Sequence, residues 1–451
     1  MAESGSAGML AGTLRRAPNR LGRTWVLGVM TLIYSINVAD RFVLSTLIEP
    51  IKAEFHLSDS GVGFLTGTAF AICYATAGLP LGTLADRAHR RNMIARALVV
   101  WSIFTALCGM AQSFWQLLAA RIGVGFGEAG ATPASHSMLA DYFARKERVI
   151  AMSVFTLGIA IGSGFGGVAG GMLADAFGWR HCLILFACFS ASVIVLLLTV
   201  QEPERGASDP RAVPASAHPT LIEALRFVRG QRALLHIFAA GTIADFAGGG
   251  LIWWTPAFLG RSHGFSVGQA GMQVGLMSGL GGAAALLATM LIALRLARMD
   301  ARWQCHFLAG LTALITIPGV CAYTASGTTA TLLMLWLFVP FANAHVGPMF
   351  ALFQNLVPST MRGVAVAMLL FATNIANLAL APQLIGTASD LLARHIADPD
   401  QSLRIALAIS GLSGLWAAWH FHAAIRTLPR DLERAERHVI GEEPTGPATS
   451  R

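Results

Sequence analysis

Apolar runs of about 20 residues recur twelve times along the chain, and this recurrence constrains the fold more than any other feature. They fall near 25 to 48, 60 to 84, 93 to 111, 114 to 140, 149 to 175, 181 to 200, 233 to 259, 267 to 293, 304 to 323, 329 to 355, 364 to 389 and 403 to 424. At ~1.5 Å rise per residue each run can cross a hydrocarbon core of roughly 30 Å. Backbone groups inside a bilayer must be satisfied within the segment, so such runs have to be helices. Charged residues make up 12% of the sequence, against about a quarter in soluble proteins, and mean hydropathy is +0.60. The expectation is an all-α membrane protein with twelve transmembrane helices.

The basic residues orient it. With the N-terminus in the cytoplasm, the inner loops and tails hold 24 of the Lys and Arg residues and the outer loops 5, which places both termini inside by the positive-inside rule. Residues 1–24 then form a cytoplasmic tail, 25–200 and 233–424 two six-helix bundles, 201–232 a cytoplasmic linker with a short surface helix near Thr220 to Val228, and 425–451 a C-terminal tail. No sorting signal is visible, so a plasma (inner) membrane is expected. The net charge of +8 is scattered among short loops, which argues against nucleic-acid binding. Six cysteines lie in apolar runs without metal-ligand spacing, so neither a disulfide framework nor a metal or other cofactor is expected.

The halves repeat internally. Gly82-x-x-x-Asp86, Gly171-x-x-x-Asp175 and Gly386-x-x-x-Asp390 close spans two, five and eleven, while span eight departs with Arg295. VADRF from Val38 in span one is echoed by IADF from Ile243 in span seven. Three-helix repeats nested within two pseudo-symmetric halves belong to transporters that alternate access around a central site.

Charges within spans mark that site, because a charged side chain at the bilayer centre costs about 2.5 to 3.5 kcal/mol on insertion scales. In span four Arg121, Glu128, Thr132 and Ser135 are spaced by 7, 4 and 3 residues, which gathers them into one polar stripe. In span one Asn37 lies a turn before Asp40 and Arg41 and can bond either. The two sets lie at similar depth. Simple helix fastening is a weak reason to keep four charges, since a buried pair rarely recovers more than its desolvation. Asp40 and Glu128 are therefore expected to take up and release protons, with Arg41 and Arg121 tuning them or meeting an anionic head group. Asp245, Asn343 and His345 are the second-half candidates, Asp245 repeating Asp40 and Asn343 roughly repeating Glu128. Trp253 and Trp254 are read as interface anchors. Glycines at 158, 162, 166 and 170 in span five, and at 271, 275 and 279 in span eight, form stripes that allow close helix approach.

GTLADRAHRR from Gly82 to Arg91 resembles the inner-loop signature of the major facilitator superfamily. FHLSDSGVGFLTG, GVGFGEAGATPASHSMLADYF, GWR ending at Arg180 and EPERG ending at Gly206 agree in order with its spinster-like family; LVPSTMRGVAVAM and APQLIGTASD agree in the second half. Asp245 is an addition to that pattern. The resemblance implies the major facilitator fold and a coupling role for Asp40, Arg41 and Glu128. It also implies an inner gate at Gly82, Asp86, Arg87, Arg90 and Arg91, with Asp86 facing a helix N-terminus, Arg145 or Arg148, and facing helices five and eight that slide.

The expected activity is proton-coupled transport of a lysophospholipid or sphingoid phosphate by a monomer in contact with membrane lipids. Small organic anions or hydrophobic drugs are the alternative cargo. An enzyme is not expected: Ser135 and His136 lie on different faces, and no nucleophile with its base or metal-ligand spacing appears.

Overall fold

The computed structural model describes residues 20–85, 88–203, 221–296, 298–358, 361–396 and 398–440, all of whose regular elements are helical. Span one runs Arg20–Thr46 and is followed by a short helix, Ile48–Phe55. Span two joins Asp59–Gly63, a wide π turn at Phe64–Thr68 and Ala69–Ala85. Span three is Arg90–Met110. Span four is two helices, Phe114–Ala129 and Ala131–Tyr142, parted at Gly130.

Spans five and six follow as Arg145–Thr156 and Gly158–Leu198, with the second helix divided at Gly178. Gly178 holds φ +80°, a backbone region open mainly to glycine, so this one residue turns the chain back between two spans. Span seven is Arg232–His263. Span eight joins Val267–Leu276, a second π turn at Met277–Gly281 and Gly282–Leu296. Span nine is Ala301–Thr324.

Span ten does not run through. Thr328–Phe338 gives way to a 3-10 turn at Val339–Phe341, and the helix resumes at Val346–Asn355. Pro340 and Pro348 flank the gap, and proline supplies no backbone N–H to an α-helical ladder. Span eleven joins Arg362–Asn374, a third π turn at Ile375–Leu380 and Ala381–Ala393. Span twelve is Pro399–Gly411 and Ser413–Ala424.

Two surface elements lie beyond the spans. Leu221–Arg229 precedes span seven. Leu428–Ile440 follows span twelve, and its buried Asp431 accepts the Ala233 backbone N–H at 2.7 Å, covering a free donor at the start of span seven. Leu428–Ile440 is thus tied to the start of span seven.

The starts of spans one and seven and the ends of spans six and twelve share one face, here called the linker face. On the opposite face the two halves are pressed together. Gly171, Gly167 and Gly164 of span five meet Gly268, Gly271, Gly275 and Gly279 of span eight, so closely that a Cβ on Gly275 would stand 2.8 Å from the Gly164 carbonyl oxygen. The other glycine series of span five behaves differently from expectation: 158, 162, 166 and 170 face Tyr34, Ser35, Ala39 and Val43 of span one. Glycines on two sides of one helix let it approach a partner within its own half and another across the midline. Span two likewise reaches span eleven, where a Cβ on Gly67 would lie 2.6 Å from the Leu378 carbonyl oxygen.

Toward the linker face the halves part. Beyond Gly282 span eight packs on spans nine and ten, and Arg145–Thr156 packs on spans one, four and the rest of five. The molecule is closed on the face opposite the linker and open toward it.

Replacing Gly275 by valine places methyls against backbone, and overpacking of this kind costs about 1 to 3 kcal/mol. The expected outcome is a roughly tenfold or larger shift away from the state closed on the opposite face, read from the distance between spin labels on spans five and eight near that face. An unchanged distance distribution would refute the role given to this seam.

Candidate functional site

Spans one and four meet inside the first half and bring the sequence-marked charges together. Asp40 (2% exposed), Arg121 (2%), Glu128 (0%) and Asn37 (2%) are buried. Arg41 Nε donates to Glu128 Oε2 at 2.6 Å. Asp40 pairs with neither arginine: its Oδ2 accepts from Ser190 of span six at 3.1 Å. Glu128 and Arg121 stand within electrostatic reach of Asp40.

The guanidiniums find a second kind of partner in span two. Arg41 Cζ sits 4.5 Å from the Tyr74 ring centroid and 5.1 Å from that of Phe70, and Arg121 Cζ sits 4.9 Å from Phe70. Cation–π contacts of this kind contribute about 0.5 to 2 kcal/mol each, more when desolvated. Phe70, Tyr74 and Ser190 were not marked by sequence reasoning. The available signal was weak: two aromatics four apart in FAICY lie on one helical face, but such pairs are common in apolar cores.

The cluster keeps unused polar capacity. Asp40 Oδ1, Glu128 Oε1, Arg41 Nη2, Arg121 Nε and Nη2, and both side-chain polar atoms of Asn37 are buried with no hydrogen-bond partner among the described residues. Asn37 therefore bonds neither Asp40 nor Arg41, contrary to its expected role. Thr132 is half-buried, and Ser135 turns its hydroxyl back to the Ala131 carbonyl at 2.9 Å, so the expected polar stripe continues past Gly130 only in part. Buried polar atoms without a protein partner cost roughly 1 to 3 kcal/mol each unless water or a ligand meets them.

In the second half the break in span ten presents His345 to span seven. His345 Nε2 lies 3.2 Å from Asp245 Oδ1, and His345 Nδ1 lies 3.1 Å from the Ala342 carbonyl oxygen. Asn343, expected to stand in for Glu128, is half-buried beside the break; the residue that meets Asp245 is His345.

Charges also join the halves on the opposite face, where sequence reasoning had proposed none. Arg261 of span seven donates to Glu49 Oε1 at 2.7 Å and to Asp59 at 2.8 and 2.9 Å, and Lys52 also pairs with Asp59. Asp390 accepts the backbone N–H groups of Asp59 and Ser60 at 3.0 and 2.8 Å, so its carboxylate sits on the N-terminus of span two, where helix dipole and free donors favour negative charge. Asp175 accepts from Ser266, the N-cap of span eight, at 2.6 Å. Two aspartates of the Gly-x-x-x-Asp repeat thus tie one half to a helix start in the other. Trp253 and Trp254 belong to this closed region and are not interface anchors: both are buried, Trp253 Nε1 donating to Thr66 across the midline and Trp254 Nε1 to the Pro382 carbonyl, each at 3.2 Å.

The basic residues of the expected inner gate point elsewhere. Arg90 is buried and donates to Glu202 at 2.8 Å, to the Pro203 carbonyl at 2.8 Å and to Asp141. Arg91 donates through its backbone to Glu202 at 2.8 Å and through its side chain to the Val200 carbonyl at 3.1 Å. Arg148 donates to the Ala140 carbonyl at 2.8 Å. These contacts fasten the linker-face ends of spans three, four, five and six within the first half. A Cβ on Gly82 would meet nothing within 4 Å, as expected where the halves stand apart. Asp86 and Arg87 lie outside the described residues. Burial would raise the Glu202 pKa, but the Arg90 guanidinium and the backbone N–H groups of Arg91 and Arg90 outweigh it and hold the carboxyl below its ordinary range.

Comparison with known proteins places this geometry. The family model described as Major Facilitator Superfamily matches residues 30–381. An MFS-type efflux pump of Mycolicibacterium smegmatis is 31% identical over 405 residues, covering 90% of this chain and 93% of the pump. The sphingosine-1-phosphate transporter SPNS2 of Danio rerio is 27% identical over 240 residues, covering 52% of this chain and 47% of that protein. A bacterial homologue of the human lysosomal transporter Spinster, solved inward-facing and unoccupied, superposes with a TM-score of 0.80 at 26% identity, covering 92% of this chain and 99% of that one.

Two outcomes follow from these ties. Arg261→Ala removes charge-assisted bonds worth roughly 1.5 to 3 kcal/mol each. It should open the opposite face, seen as a longer distance between spin labels at His56 and Arg394; an unaltered distance would show that the tie does not hold the closed state. Glu202 has a folded pKa below its unfolded value of about 4.3, so its contribution is full at neutral pH and is lost as pH falls through that value and then the folded one. Glu202→Gln should lower the melting temperature at pH 7 and flatten its decline at acid pH, whereas parallel acid limbs for variant and parent would contradict the assignment.

Proposed function

This chain belongs to the Major Facilitator Superfamily, as a transporter of spinster-like type, and from that premise we propose that it is a proton-coupled carrier of an amphiphilic, lipid-like substrate, of lysophospholipid or sphingoid phosphate class. The observation that carries the proposal is the buried cluster of Asp40, Arg41, Arg121 and Glu128 with its unpaired polar atoms.

Asp40 and Glu128 are the proton-carrying groups. Desolvation favours the neutral acid and a nearby guanidinium favours the carboxylate, so a change in water access or pairing decides which form wins. Arg41 is the most exposed of the four, with 15% of its side chain accessible. Released from Glu128 when that acid is protonated, it can offer its planar donors to a phosphate or carboxylate head group. Arg121, Asn37 and Thr132 complete the polar wall of the site in the first half, and Asp245, Asn343 and His345 that of the second. The relative named as a sphingosine-1-phosphate transporter supports this cargo class.

With the linker face in the cytoplasm, as the distribution of Lys and Arg favours, the described state opens inward and the carrier sits as a monomer in the plasma membrane with both termini inside. Gly82, Asp86, Arg87, Arg90, Arg91 and Arg148 then serve closure of the inner face. The described ties of Asp390 and Asp175 to helix starts suggest how Asp86 would act there by pseudo-symmetry: by capping the start of a span in the other half. A second reading is a carrier of hydrophobic drugs or small organic anions; the 31% identity to an efflux pump supports its export direction.

In proteoliposomes, Asp40→Asn and Glu128→Gln should each reduce pH-gradient-driven flux of labelled lysophospholipid at least tenfold, a change of about 1.4 kcal/mol or more, while counterflow without a gradient persists. Undiminished gradient-driven flux in both variants would refute proton coupling at these residues. Counterflow of a labelled hydrophobic drug or small organic anion, and none of lysolipid, would replace the lipid reading with the second one.

A further inference from the structure

From the contacts of His345 we infer that Asp245 and His345 form a second proton-binding site, lodged in the second half and holding one proton between them. The pair lies away from the Asp40–Glu128 cluster and joins span seven to the break in span ten. His345 is 2% exposed, and the Asp245 side chain is 10% exposed.

The proton count of the pair is set by which atoms can accept. His345 Nδ1 faces the Ala342 carbonyl oxygen at 3.1 Å, and a carbonyl oxygen only accepts, so Nδ1 carries a hydrogen. A neutral ring with its hydrogen on Nδ1 has a lone pair on Nε2. Nε2 lies 3.2 Å from Asp245 Oδ1, off the line of its in-plane lone pair, and with Asp245 ionised two electron-rich atoms would still stand close together away from water. One further proton removes the conflict. Placed on Nε2 it gives imidazolium beside carboxylate; placed on Asp245 it gives a carboxylic acid beside imidazole. Both forms are neutral as a pair and hold the same number of protons, so they are one macroscopic site. Losing that proton would bury an uncompensated carboxylate, which is costly at this depth.

The surroundings supply little to compete. Span nine presents Thr312 and Thr316 and span twelve presents Gly411 and Gly414 to a cavity that His345 also lines, and that lining contains no other titratable side chain. Span eleven sets Asn377 against Gly249 of span seven. Span one packs on span seven, but its Arg41 is engaged with Glu128. His345 Nε2 is buried and makes no aligned hydrogen bond among the described residues. The cavity beside it has a volume of about 20 Å³, enough for one water molecule, which needs roughly 10 to 15 Å³. Such a water, meeting His345, can take the proton from the ring as hydronium, leaving neutral imidazole and carboxylate, and no other bond changes. Because both residues belong to one half, access of water to this cavity, rather than separation of the pair, is what gates the exchange.

The role of this site in transport rests on the proton-coupled reading above; its protonation does not. The test is NMR of the full-length protein in nanodiscs with ¹⁵N-labelled histidine and ¹³C-labelled aspartate, the His345 and Asp245 signals being assigned with His345→Gln and Asp245→Asn. Near neutral pH the wild-type pair should hold its proton, seen as an Nε2–H on His345 or a protonated Asp245 carboxyl. In Asp245→Asn the shared proton should be lost at that same pH, leaving the His345 ring protonated on Nδ1 alone. Asp245→Glu, which keeps the acid, should restore a shared proton. An ionised Asp245 beside a ring protonated only on Nδ1 in the wild type at neutral pH would overturn the inference, and that observation needs no variant to fold. Neither outcome depends on Asp40 or Glu128, so the second site can stand if coupling at the first fails, and the reverse.

Discussion

A charge in hydrocarbon must have a counter-charge, a set of hydrogen-bond donors or a proton, and nearly every feature that positions this molecule answers that requirement. Arg41 is inside the first half with Glu128 and the faces of Tyr74 and Phe70. Arg90 is buried at the linker face with Asp141 and Glu202. Arg261 crosses the midline to Glu49 and Asp59. The last differs in kind from the others, since its partners belong to the other half. A bond within one half stabilises that half in every conformation, whereas a bond between halves stabilises only the conformation that makes it. The distribution of pairs therefore separates the scaffold from the switch.

Much of this was legible in the sequence, for identifiable reasons. Twelve spans followed from apolar runs, because a bilayer leaves the backbone no alternative to helix. Their interruptions at Gly130, Gly178 and the 339–345 stretch were harder to read, since they depend on single glycines and prolines inside strongly apolar context. The buried charges of spans one and four announced themselves by their rarity, yet their pairing did not. Helical periodicity gives a face and an approximate depth, but which of Asp40 and Arg41 turns to Glu128 depends on rotations of a few tens of degrees; here Arg41 meets it and Asp40 turns to Ser190 of span six. Arg261 and Asp59 stood at span ends, where charges are ordinary, so nothing in their local sequence distinguished a tie between halves from a solvated pair.

The internal repeats explain why some expectations transferred and others failed. The Gly-x-x-x-Asp element recurs as geometry: a small residue admits the neighbouring backbone, and one turn later the carboxylate reaches that neighbour's free N–H groups, as Gly386 and Asp390 do with Asp59 and Ser60. Asp40 and Asp245 recur only as position. One bonds a serine and stands near Arg121 and Glu128, the other meets a histidine. Pseudo-symmetry preserves backbone relations better than chemistry, because the two halves share a fold while each side chain answers to its own neighbours.

The glycine seam between spans five and eight also sets the mechanics of the molecule. It lies toward the face opposite the linker, and beyond it span eight continues for the 15 residues of Gly282–Leu296, roughly 22 Å of helix. A stiff rod pivoting near one end moves its far end most. A rotation of roughly 15°, the size of known rigid-body shifts between subunits, would sweep the linker-face end of span eight through about 6 Å while displacing atoms at the seam very little. The fulcrum is thus off-centre. For the same turn the linker-side end of span eight therefore travels farther than the end beside the seam.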